Sequence, residues 1–146
     1  MAQSVATDAG GAFAPGRPIS EVRVHGPAYQ AYQILHIAFI LAPLLAGLDK
    51  FFHVLTNWDM YLSPAFARLA SMSAHNLMLA VGVVEIIAAL IVAFKPYYGG
   101  YLVTLWLWAI IINLLLIPGY YDIALRDFGL SLGAVALARL SKDFSR

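Results

Sequence analysis

Cysteine is absent from this chain. Its absence excludes disulfides, thiolate-held metals, iron–sulfur clusters, covalent c-type haem and thiol redox chemistry by this chain alone. Charge is almost as scarce. Only 12% of the 146 residues are charged and 62% are hydrophobic, whereas a soluble domain carries roughly 25% charged residues. Half the usual charge cannot cover a surface that faces water, so much of this surface is expected to face lipid. A net charge of +1 gives no basis for nucleic-acid binding. The sequence has no glycine-rich phosphate loop and no carboxylate–histidine motif with metal-ligand spacing. The expectation is no catalytic residue, no metal site and no intrinsic cofactor.

What is present is organised around residues 47–64, GLDKFFHVLTNWDMYLSP. This stretch lies between two apolar segments and mixes Asp49, Lys50, His53 and Asp59 with Phe51, Phe52, Trp58 and Tyr61. A membrane–water interface selects such a mixture, because an aromatic ring buries its body in lipid while a polar edge reaches water. Phe51, Phe52, Trp58, Asp59 and Tyr61 are therefore read as interfacial or partner-contacting residues. Ser63-Pro64 has the form of an N-cap followed by a first-turn proline, which predicts a short interfacial helix through Ala70 with Arg68 on its wet side.

Four spans are predicted, at about residues 29–48, 74–94, 101–117 and 123–140, each near the twenty residues that cross a bilayer core. The first holds His36 and Pro43, the second Glu85 and the third Trp106, Trp108 and Asn113. Lys95-Pro96 with Tyr97, Tyr98, Gly99 and Gly100 reads as a short turn between the second and third. Residues 1–28 lack the apolar core of a signal peptide and contain Gly10, Gly11, Pro15, Gly16 and Pro18. They read as an extended arm, either free or ordered against a partner. The fold class is all-α: an integral membrane four-helix bundle with that arm and the short interfacial helix.

Four spans put both ends on one side of the membrane. That side would hold Arg17, Arg23, Lys95, Arg139, Lys142 and Arg146, the other Lys50, Arg68 and Arg126. The bias favours cytoplasmic termini in a bacterial inner membrane.

Residues three and four apart share a helix face. His36, Ile40, Pro43, Gly47 and Lys50 form one stripe, His75, Met78, Gly82, Glu85 and Ala89 a second, and Asp122, Arg126, Gly129, Gly133 and Ala136 a third. Small residues let membrane helices approach, and scarce polar ones turn inward, so these stripes are expected to face one another. A charge at mid-membrane costs at least about 2.5 kcal/mol, so Glu85 must be protonated or paired. It is either a polar clamp or part of a ligand or proton site. Lys50 either snorkels to the interface or turns toward Glu85 or Asp127. Arg126 pairs with Asp122 one turn away or lines the same site. The candidate ligand set is Lys50, Glu85, Asn113, Arg126 and Asp127. His36 and His75 lie toward opposite membrane faces and cannot share a haem iron; each reads as a packing residue, not a pigment or haem ligand.

Gly47 and Lys50 ending the first span, Pro64, Glu85, Asn113 and the run YYDIALRDFGLSLGAVALARLS together resemble the DoxX-like family of small four-helix membrane proteins, over about residues 46–140. The resemblance implies a bundle whose fold requires no cofactor, and respiratory or redox accessory roles, including the membrane subunit of a quinone-linked thiosulfate-oxidising enzyme. Relatives that handle thiols do so with cysteines. Where the family carries glycines after the glutamate, this chain has Ile86, Ile87, Ala88 and Ala89.

The expectation is a non-catalytic accessory or scaffold subunit of a larger, electron-transfer-related complex, with lipid and other membrane subunits as partners. A rival is a site for a quinone or other lipophile around Glu85. Proton or solute transport is a third reading, against which stands the lack of paired broken helices.

Overall fold

The computed structural model describes residues 26–145, and these are helical with no strand among them. The predicted arm lies outside the described residues except for its last three, of which Pro27 and Ala28 are already helical. Four long helices are α1 (Pro27–Phe52), α3 (Ala74–Phe94), α4 (Pro96–Leu115) and α5 (Tyr121–Phe144); the short α2 is Pro64–Ala70, preceded by one 3-10 turn, Trp58–Tyr61.

Local chemistry sets these boundaries. Pro27 occupies the first turn of α1, where its missing N–H has no partner to lose. α1 ends at His53, whose left-handed backbone (φ 54°) lets its N–H reach the Asp49 carbonyl at 2.6 Å. Ser63 caps α2 by accepting from the Ala65 N–H at 3.2 Å, and Ser73 caps α3 by accepting from the Asn76 N–H at 3.2 Å. Gly119, at φ +99°, takes the turn into α5.

The predicted turn at Tyr97–Gly100 is instead the first turn of α4, because Pro96 starts that helix directly after Lys95. The two glycines serve packing. A Cβ on Gly99 would lie 2.5 Å from the Val92 Cα, and one on Gly100 would lie 2.8 Å from the Ala134 carbonyl. α4 is thus pressed onto α3 by one glycine and onto α5 by the next.

α1, α3, α4 and α5 are long enough, at about 1.5 Å per residue, to cross the roughly 30 Å apolar layer of a bilayer. Three of them, α1, α3 and α4, are also apolar enough. α5 is not: its longest uncharged run is Phe128–Ala138, only eleven residues. Large side chains point outward along the apolar helices, among them Ile34, Leu41, Val83, Ile87, Leu105 and Ile112. A surface this greasy belongs to a membrane protein embedded in lipid.

The long helices pack antiparallel in a ring, α1 on α3, α3 on α4, α4 on α5 and α5 back on α1. Tyr32, Phe39, Ala88, Val92, Val103, Ala134 and Leu137 fill one end. At the other end, Ile111, Leu114 and Ala124 pack with Tyr61 and Tyr120. The first two predicted stripes face inward except for His75, which is exposed; Gly47 on α1 meets Gly82 on α3, where a Cβ on Gly47 would lie 2.7 Å from the Gly82 carbonyl. The α5 stripe needs correction. Its packed face is Ala124, Asp127, Ser131, Ala134, Ala138 and Ser141. Arg126, Gly129 and Gly133 lie beside it and line a cavity; a Cβ on Gly129 would meet nothing within 4 Å, whereas one on Gly133 would lie 3.3 Å from the Phe39 ring.

Candidate functional site

Between the ends of the ring lies a cavity of about 770 Å³, within the range of small-molecule sites. Its floor is apolar, with Phe39, Ala88 and Val103 shared with the packed core. Its polar groups gather toward the end that carries the Thr56–Phe66 loop.

Asp49 builds that loop. Its carboxylate accepts the Val54 N–H at 2.8 Å, the Leu55 N–H at 3.0 Å and the Trp58 indole N–H at 2.7 Å. A carboxylate held by several donors fixes a turn firmly, because each bond is charge-assisted. Trp58 is thereby placed under Lys50, whose Nζ lies 3.9 Å from the indole centroid.

Lys50 turns inward. Its Nζ donates to Glu85 Oε2 at 2.6 Å and to the Ala46 carbonyl at 3.4 Å. The two charged side chains are only 3% and 8% exposed. The pair bridges α1 and α3 across the Gly47–Gly82 contact, the Lys50 Cβ packing over Gly82 and the Glu85 Cβ over Gly47, and that close approach is what brings Lys50 within reach. The Trp106 indole N–H lies close to the same carboxylate without meeting hydrogen-bond geometry, and it is buried without a partner.

On α5, Arg126 does not pair with Asp122. Its Nε and a terminal nitrogen reach Asp127 Oδ1 at 3.1 and 3.0 Å. Asp122 is exposed, whereas Asp127 is buried and needs a cation. Asn113 is committed to structure. Its Oδ1 accepts the Ser63 N–H at 2.8 Å and its Nδ2 donates to the Tyr61 carbonyl at 2.6 Å, pinning the loop onto α4.

Lys50, Glu85, Asn113, Arg126 and Asp127 thus all line one cavity. The interfacial aromatics divide. Trp58 and Tyr61 wall the cavity, while Phe51 and Phe52 point outward. Asp59 Oδ2 lies 3.0 Å from His75 Nδ1. His36 Nε2 lies 2.9 Å from the Val92 carbonyl, and its ring stacks on Tyr32. Trp106 was missed as a site residue, since a tryptophan inside an apolar span gives no sign of where its N–H will point. The grouping of His53, Asp59 and His75 was missed as well; sixteen residues separate Asp59 from His75, and no periodicity links them.

No family model, curated protein or solved structure matches this chain.

Proposed function

We propose that this protein is a four-span, DoxX-like protein of a bacterial inner membrane whose central cavity binds a neutral lipophile of the quinone class. The observation that carries the reading is the cavity itself. Its floor is apolar and its cations are already matched. Lys50 is paired with Glu85 and Arg126 with Asp127, so the two pairs leave no net charge for an ionic guest. The Trp106 N–H is buried without a partner, and a rotation of the ring toward the cavity it lines would offer that donor to a guest's carbonyl oxygen. A ring with a carbonyl and an apolar tail meets each of these conditions. In this reading α5 is the fourth span, its outer side offering Leu125 and Leu132 to lipid. The lysine and arginine bias supports cytoplasmic termini.

The test is fluorescence quenching by a short-tailed ubiquinone analogue, in a Trp108→Phe background that leaves Trp58 and Trp106 at the cavity. Saturable quenching, lost in Gly129→Leu, is expected. Non-saturable quenching, identical in both proteins, would overturn the reading.

The accessory-subunit reading is supported by a different observation. Phe52, Val54 and Leu55 are 72%, 81% and 70% exposed at the loop end, an apolar cluster that a partner subunit could cover. Co-purification of a second protein after mild solubilisation tests it; a stable monomer alone would count against it.

A further inference from the structure

We propose that His53, Asp59 and His75 form a binding site for a divalent transition-metal ion of the zinc class. One ligand atom from each of the three lies within 4.8 Å of the others. Each comes from a different part of the fold: the C-cap of α1, the 3-10 turn and the first turn of α3.

A tetrahedral zinc site with bonds of about 2.0–2.1 Å places its ligand atoms roughly 3.3 Å apart. His75 Nδ1 and Asp59 Oδ2 are already 3.0 Å apart. The His53 ring lies beside that of His75, centroids 5.7 Å apart and planes tilted by 21°. Binding would require His53 to rotate about its side-chain bonds to close the remaining gap. Two imidazoles and one carboxylate are a borderline donor set suited to zinc, and they leave a fourth position for water.

Two further features single out this cluster. Asp59 Oδ1 is shut off from solvent and has no hydrogen-bond partner. Among the described residues the carboxylate has no lysine or arginine partner; its sole ion-pair partner is His75. The side chain as a whole is 28% exposed, but its shut-off, unpartnered oxygen leaves the carboxylate half-satisfied, and such a group gains from a cation. His53 also holds a left-handed backbone, φ 54° and ψ 41°, which glycine would adopt without steric penalty. The ligand backbones are fixed independently of any ion. The His53 N–H bonds the Asp49 carbonyl, and the Asp59 N–H bonds Asn57 Oδ1 at 3.2 Å. A metal here would staple the 3-10 turn to α3.

The experiment is a titration of the tag-free full-length chain in detergent with Zn²⁺ by calorimetry, and with Co²⁺ by visible absorption. One ion per chain is expected, with X-ray absorption of the zinc-loaded protein showing two imidazole nitrogens and a carboxylate oxygen at about 2.0–2.1 Å. Asp59→Asn and His75→Gln should each weaken binding at least tenfold, and His36→Gln should not. Absence of saturable binding in the wild-type chain would overturn the proposal without recourse to any variant. So would equal binding by a chain carrying His53→Gln, Asp59→Asn and His75→Gln together.

Discussion

Lys50 and Glu85 meet 2.6 Å apart across α1 and α3, almost wholly out of contact with solvent. Removing either partner leaves a buried charge alone, at about 3–5 kcal/mol by comparison with other buried pairs. Glu85→Gln and Lys50→Met are each expected to lower the unfolding midpoint sharply in detergent. The Lys50→Met, Glu85→Leu double variant should recover most of the loss, because no uncompensated charge remains. Additive losses in the double variant would contradict this account of the pair.

Glycines in this fold are expected to respond in opposite ways. Gly47→Ala drives a methyl group to 2.7 Å from the Gly82 carbonyl oxygen, and overpacking of this kind costs about 1–3 kcal/mol. Gly129→Ala meets nothing within 4 Å and gains helix propensity of up to about 1 kcal/mol. Thermal unfolding of the two variants side by side reads the contrast directly.

Trp106→Phe removes the indole donor and keeps an aromatic body. Stability should change little, since that N–H makes no hydrogen bond in the protein. Affinity for a carbonyl-bearing lipophile should fall by about two- to tenfold, the worth of one neutral hydrogen bond of roughly 0.5–1.5 kcal/mol. Unchanged affinity would remove the indole from the proposed site.

Asn113→Leu strips the Ser63 N–H and the Tyr61 carbonyl of their partners. Each unsatisfied buried group costs about 1–3 kcal/mol, so the loop should open locally before the helices separate. Faster proteolysis within residues 54–63, with helical content preserved, is the expected result.

Much of the framework could be read before any coordinates. Scarce charge and long apolar runs announced helices facing lipid, and Ser63-Pro64 marked the start of α2 to the residue. The stripes through Gly47–Lys50 and Met78–Glu85 predicted which faces meet, because three-and-four spacing is a local property of a helix. Properties set by neighbours were not legible. Gly99 and Gly100 have the composition of a turn, and only the nearness of Val92 and Ala134 shows them to be packing residues. Arg126 had a partner one helical turn away in Asp122, and the choice of the adjacent Asp127 depended on which carboxylate was buried. His53, Asp59 and His75 converge only after the loop has folded back onto α3.

The surroundings of Lys50 carry one more chemical consequence. A carboxylate, a main-chain oxygen and an indole face occupy its head group. An amine so engaged directs no lone pair into the cavity, and condensation with an aldehyde or ketone begins with attack by such a lone pair. A carbonyl-bearing guest can therefore rest beside this lysine without being captured as an imine.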